Sequence, residues 1–193
     1  MSENRESIED FYDEIAATYG DAVTNSPIRR DCRLPAVQSL FPDVENKRVL
    51  DAACGAGTDS AWLAKQGENV LGIDSSKEMI RTARERFGEQ AEFRHADLEE
   101  PLDFINDDEI DVVSSQLTLS HIRDWDPDLS EFERVLYSDG VLIASTDHPF
   151  RQFLLTKEGQ FSDIDLYAAE SEPDVITESD KSNYFERSCV ADC

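Results

Sequence analysis

The chain has 193 residues, with 43 Asp and Glu against 18 Lys and Arg, and a formal net charge of −25. A field that negative opposes nucleic acid and anionic membrane surfaces, because phosphates meet like charge before any specific contact can form. The length suits one domain with a real core, and no apolar run approaches the roughly 20 residues needed to span a bilayer.

The basic side holds thirteen Arg and only five Lys. Many acids with few Lys is the composition of a salt-adapted surface, kept soluble by hydrated carboxylates; the other reading is an ordinary acidic cytosolic protein. Cysteines 32, 54, 189 and 193 form no CxxC pair and there are three histidines, so free thiols and no metal site are expected. No signal peptide precedes Phe11, and a cytoplasmic protein is expected.

Ile8, Phe11, Tyr12, Ile15 and Tyr19 recur at helical spacing and predict an amphipathic helix over residues 5–19 that stops at Gly20, with Phe11 and Ile15 packed on the sheet. Residues 21–33 carry Asn25, Ser26, Pro27, Arg29, Arg30 and Arg33 and read as a loop with solvated charges; an anion-holding role is the alternative. Leu34 to Phe41 reads as a short helix leading through Pro42 to the first strand.

Val49 and Leu50 open that strand, which ends in Asp51 and breaks into Gly55-Ala56-Gly57 before an amphipathic segment, Ser60 to Gln66. Strand, glycine turn and helix start are the local geometry of a nucleotide site, and a residue without Cβ lets backbone approach a ligand. A second buried-type strand, Val70 to Asp74, ends in an acid about 20 residues further on, where a carboxylate can accept from both ribose hydroxyls of an adenosine. Ser60 stands where the dinucleotide pattern has its third glycine, which disfavours NAD(P) and an oxidoreductase on the same sheet. Asp51 suits a ligand bearing an ammonium group better than one bearing phosphates.

Ser75-Ser76-Lys77-Glu78 has the spacing of a helix cap, with Met79, Ile80, Ala83 and Phe87 as the apolar face and Gly88 as the stop. Ala91 to His95 reads as a third strand, with His95 structural. Just beyond it, Asp97 can accept from the exocyclic amine of adenine, with Leu98 packing nearby. Residues 99–109, with six acids and a proline, form a solvated connection. Asp111 to Ser115 is the fourth strand, followed by Gln116 and by Leu117 to His121. A helix starts at Asp126-Pro127, turns Leu129, Phe132, Val135 and Leu136 to the core, and ends at Gly140. Val141 to Thr146 is strand five, and Asp147-His148-Pro149 follows it. Five strands alternating with helices predict a doubly wound, mainly parallel α/β sheet of Rossmann-like type. Its ligands bind at the carboxyl ends of the strands, where Asp51, Asp74, Asp97, Gln116 and His148 fall.

At these residues the chain resembles the class I S-adenosylmethionine-dependent methyltransferases, in particular the small-molecule domains of types 11 and 25. Val-Leu-Asp-Ala-Ala-Cys-Gly-Ala-Gly-Thr is similar to their first motif and Gly-Ile-Asp-Ser-Ser-Lys-Glu-Met-Ile (72–80) to their second-strand motif. The likeness continues in His-Ala-Asp-Leu (95–98), in residues 110–119 and in residues 132–143. The resemblance implies S-adenosyl-L-methionine as cofactor, a small-molecule acceptor, and a cofactor site that includes Gly55, Gly57, Asp74 and Ser75. It also implies an N-terminal cap, from which Tyr19 reaches the methionine moiety. Catalysis would be mainly proximity and alignment. Where the acceptor must lose a proton, His148 and His121 are the candidate bases, since a histidine with a reference pKa of about 6.5 can accept one near neutral pH.

Such relatives continue after strand five into a substrate-covering insertion, a sixth strand and an antiparallel seventh. The expected division is therefore a cap over 1–45, a cofactor-binding core over 46–149, and an insertion or truncated segment over 150–193. No terminal strand pair is visible in the sequence, so truncation is expected, with a cofactor-binding protein without turnover as the alternative to an enzyme.

Overall fold

A computed structural model of the chain describes residues 3–27, 29–42, 45–66, 69–122 and 124–146, with side chains from residue 10 onward. The described elements up to Ser145 belong to one unit. Its centre is a five-stranded sheet of β1 (Arg48–Ala52), β2 (Asn69–Asp74), β3 (Glu92–His95), β4 (Ile110–Gln116) and β5 (Leu136–Ser145). The strands lie in the order β3-β2-β1-β4-β5 and every pairing is parallel. This is the predicted doubly wound α/β sheet.

Register explains the two-faced core. Val49 sits beside Val70 and Val112, and Leu50 beside Leu71 and Val113. Because successive side chains point to opposite faces, the first set buries with Leu63, Ile80 and Ala83. The second set buries with Leu102, Ile105, Phe132 and Val135 on the other face. Helices α3 (Thr58–Ala64) and α4 (Lys77–Phe87) therefore cover one face and α5 (Trp125–Val135) the other. Each large side chain so buried contributes about 1.5–3 kcal/mol.

Helix α4 begins as its cap spacing predicts: Ser76 Oγ accepts from the Met79 amide at 3.0 Å. Helix α1 (Glu3–Asn25) differs from expectation, running straight through Gly20. A Cβ at Gly20 would collide with the Arg86 side chain and touch Ala56, so this glycine is a point of close approach rather than a stop. Phe11 is also not packed on the sheet but 54% exposed, edge-on to Tyr12. Helix α1 instead buries Ala16 against Ala56 and Met79, with Tyr12, Ile15 and Tyr19 around them. Helix α2 is Leu34–Leu40, as expected.

The fifth strand is the other departure. Helix α5 ends at Val135, and Leu136 already pairs with Ile110, so Gly140 lies inside β5. A Cβ there would fall 2.8 Å from Leu136 Cδ2 and 2.9 Å from the Tyr137 carbonyl. The glycine lets the strand pass its own first residues where the register shifts between Ile110 and Val112. Among the described residues β5 is an edge of the sheet.

Candidate functional site

The carboxyl ends of β1 and β2 meet at a tight loop. Ala53, Gly55 and Gly57 all have left-handed backbone, at φ of 61°, 53° and 77°. The Cys54 amide donates to the Ile73 carbonyl at 2.8 Å and ties the loop to β2. The two glycines have different reasons to be glycine. A Cβ on Gly57 would lie 2.8 Å from the Phe93 ring and 3.0 Å from Ala83, so its bareness serves packing beneath the loop. A Cβ on Gly55 would meet only the Tyr19 ring, at 3.4 Å. Of the pair expected to admit a ligand, Gly55 faces the space under α1.

Asp74 holds this loop in place. One carboxylate oxygen accepts from the Gly55 amide at 2.8 Å and the other from the Ser76 amide at 2.9 Å. Burial pushes its carboxyl up, and the two amides pull it back. A carboxylate has about four acceptor sites, so two remain for a ligand. The Ala96 amide donates to the Asp74 carbonyl at 3.1 Å, which brings the turn containing Asp97 and Leu98 to the same strand end. Asp97 Oδ1 accepts from the Glu99 amide, and Leu98 is partly buried against the core cluster on the α5 face of the sheet. The Ser75 carbonyl bonds to His95 Nε2 at 2.8 Å, which makes His95 structural as read and Ser75 a backbone anchor.

Asp51 is 2% exposed, and the Ser60 hydroxyl donates to it. Burial, then the nearby Asp59, push its carboxyl up to about 7, while the Ser60 bond pulls it down. Ser60, the residue that broke the dinucleotide pattern, is thus the partner of Asp51. One residue earlier, Asp59 receives Arg29 on one oxygen and Arg33 on the other, the latter at 3.1 Å. Residues 21–33 are therefore not the expected loop of solvated charges. Helix α1 runs to Asn25 and a π-helical turn spans Arg29–Arg33, turning both arginines inward onto α3. Only Arg30, exposed and paired with Asp31, matches the solvated reading.

Helix α1 roofs this end of the sheet. Asp13 accepts from the Ser76 hydroxyl and, at 3.3 Å, from the Glu78 amide, fastening α1 to the first turn of α4. Tyr19 stands over Gly55, and its ring meets Tyr12 edge-on at 5.7 Å. Tyr12 Oη lies 3.2 Å from His121 Nε2, with the rings again edge-on. Neither Asp13 nor Tyr12 was among the candidates. For Tyr12 the signal was its place on the same helical stripe as Tyr19; for Asp13, a single acid in an acidic helix, there was none.

At the β4 end Gln116, one of the expected cofactor residues, is held by its neighbours. Gln116 Nε2 donates to the Ile143 carbonyl at 3.1 Å, and its Oε1 accepts from the Ser145 hydroxyl at 2.7 Å. It staples β4 to β5. His121 sits in a short turn at the rim, and His148 lies outside the described residues. Among the described residues no group of three or more His, Cys, Asp or Glu is placed to hold a metal ion, and no helix is long and apolar enough to cross a membrane.

Residues 50–144 match the family model of the methyltransferase domain. This stretch is similar to a methyltransferase domain. A demethylmenaquinone methyltransferase of Clavibacter sepedonicus is 30% identical over 148 residues, covering 74% of this chain and 59% of that protein. A ubiquinone biosynthesis O-methyltransferase of Actinobacillus pleuropneumoniae is 32% identical over 149 residues, covering 71% and 62%. Among solved structures, an S-adenosylmethionine-dependent methyltransferase of Mesorhizobium loti is 29% identical with a TM-score of 0.57, over 60% of this chain and 54% of that one. The chain thus spans between half and two thirds of the length of these relatives. The cofactor of such domains is S-adenosyl-L-methionine, and the surroundings of Gly55 are compatible with it: buried acids, a bare backbone and an aromatic ring above it.

Proposed function

We propose that this chain binds S-adenosyl-L-methionine across the carboxyl ends of β1, β2 and β3 and methylates a small molecule. The observation that carries the reading is Asp74, held by the Gly55 and Ser76 amides with acceptor sites to spare for the ribose hydroxyls. Asp97 takes the adenine amine and Leu98 packs against the ring; Asp51 takes the ammonium group; Tyr19 closes over the methionine moiety above Gly55. Gly57 and Ser75 shape the walls.

The bound cofactor supplies an already activated sulfonium methyl. The chain's own task is to hold an acceptor in line with that methyl and keep water away, which can supply about 7–11 kcal/mol of the barrier. Where the acceptor is a hydroxyl, His121 or His148 takes its proton. The relatives named for quinone biosynthesis support a small-molecule acceptor, and the aromatic rings of Tyr12 and Tyr19 stand on α1 above the glycine loop. The net charge of −25 supports a salt-adapted protein of the cytoplasm that does not bind nucleic acid.

Calorimetric titration with S-adenosyl-L-methionine tests the reading. Saturable binding at one site per chain is expected, and methyl transfer is then followed with candidate phenols and quinols. Absence of binding by the folded protein would overturn it.

A further inference from the structure

Ser76, only 1% exposed, joins three parts of the molecule. Its amide donates to Asp74 at 2.9 Å, and its hydroxyl oxygen accepts from the Met79 amide at 3.0 Å as the cap of α4. The hydroxyl proton goes to Asp13 on the roof helix, 63 positions away. Asp13 Oδ1 also accepts from the Glu78 amide at 3.3 Å, so one carboxylate oxygen gathers two donors from the start of α4. Negative charge is favoured there, because the first amides of a helix have no partner within it. An ion pair further along the same two helices is weaker. Arg86 meets Asp21 at 3.4 Å with the Asp21 side chain 78% exposed, and such surface pairs contribute little.

The roof and the acid that holds the glycine loop thus meet at one residue: the Ser76 amide aims Asp74, and Asp13 fixes the Ser76 hydroxyl. Further along α1, the Tyr19 ring stands over Gly55, so a ligand against that glycine lies beneath the helix. We propose that Asp13 is a latch. Its bond to Ser76 couples the seating of α1 to occupation of the Asp74 site, and it breaks before cofactor or product leaves. This rests on the cofactor reading above and adds to it the control of exchange. Asp13 touches no reacting atom and is a positioning residue, acting through Ser76. The coupling is reciprocal: the seated helix retains the ligand, and the ligand keeps the helix seated.

The test measures association and dissociation rates of S-adenosyl-L-methionine by stopped flow, and hydrogen exchange of α1, on the full chain. Asp13→Ala leaves the buried Ser76 hydroxyl without its acceptor. Dissociation should speed up about ten- to a hundredfold, the worth of one charge-assisted bond, while association changes less than about threefold. Asp13→Asn keeps an acceptor oxygen without the charge and should fall between, within about tenfold of wild type. Asp21→Asn should leave both rates within about twofold. Bound cofactor should slow exchange of the α1 amides in the wild type and slow it less in Asp13→Ala. A lowered melting temperature with unchanged dissociation in folded Asp13→Ala would make the bond merely structural and overturn the latch, leaving the cofactor reading standing. Should the alanine variant not fold, unchanged dissociation in Asp13→Asn decides in the same way. Failure of the wild type to bind would remove both.

Discussion

The two halves of the sheet's carboxyl edge are built differently. Where β1 and β2 end, polar groups are buried and anchored from several elements: Asp74 by two amides, Asp51 by Ser60, Asp59 by two arginines, and Ser76 by Asp13 from the roof. Where β4 and β5 end, Gln116 turns its amide back onto β5, and His121 sits at an exposed rim against Tyr12. A ligand entering the first half finds acceptors already oriented, so little ordering is paid on binding. In the second half the described polar side chains chiefly tie β4 to β5 and α1 to the turn at His121.

The sharpest break of this comparison lies within the glycine loop. Gly57→Val combines a left-handed backbone with a clash against Phe93 and should cost roughly 3–6 kcal/mol. At about 2–4 °C per kcal/mol that is a fall in melting temperature of roughly 6–24 °C. Gly55→Val meets only Tyr19 and should lose roughly 1–3 kcal/mol, yet abolish cofactor binding. Thermal melts and titrations on both variants check the contrast, and equal destabilisation would erase it.

Next comes a contrast between the halves. Asp74→Ala should weaken S-adenosyl-L-methionine binding about tenfold to more than a hundredfold with the fold retained, since charge-assisted bonds are worth about 1.5–3 kcal/mol each. Gln116→Ala should change affinity less than about threefold and instead cost about 1 kcal/mol of stability, because Ser145 and the Ile143 carbonyl lose their partner. Reversed outcomes would move the cofactor site toward β4.

A third effect is graded with pH. The carboxyl of Asp51 sits at about 7 in the folded chain against about 3.9 unfolded, so the folded state holds the extra proton between those values. The Asp51 contribution to stability is complete below pH 4 and lost as pH rises through 7, by at most about 1.4 kcal/mol per unit. Relative to Asp51→Asn, the wild type should therefore lose melting temperature from pH 5 to 8. An ammonium ligand favours the ionised form, so cofactor affinity should rise over the same range and binding should release protons. Calorimetry in buffers of different ionisation enthalpy measures that release; none at pH 6 would contradict the Asp51 assignment.

The smallest expected effect is at Ala53, left-handed without being glycine. Ala53→Gly relieves roughly 1–2 kcal/mol of strain and returns part of it as chain entropy. A gain of up to about 1 kcal/mol, or 2–4 °C, is expected in a thermal melt. A loss would show that the Ala53 methyl group contributes packing that outweighs the strain.

Much of what depends on neighbours within a few residues was legible in the sequence, the ends of α1 and α5 excepted. The parallel α/β sheet follows from short apolar strands alternating with amphipathic helices, Asp51 and Asp74 from acids at strand ends, and the start of α4 from Ser76. These are local because strand period, cap spacing and turn backbone are set by sterics within one or two turns of chain. What lies far apart in the chain was decided by tertiary structure alone. Arg29 and Arg33 become buried only because the turn after α1 carries them to Asp59, 30 and 26 residues away. Gly20 looks like a stop until Arg86 arrives against it, and the packing of Phe93 under Gly57 is equally invisible in the sequence. Gln116 looks free until β5 lies beside it, and Tyr12 is one more helix residue until His121 meets it across 109 positions. Composition and periodicity say which side chains leave water. Which partner each then meets depends on packing between elements, and only the folded chain sets that.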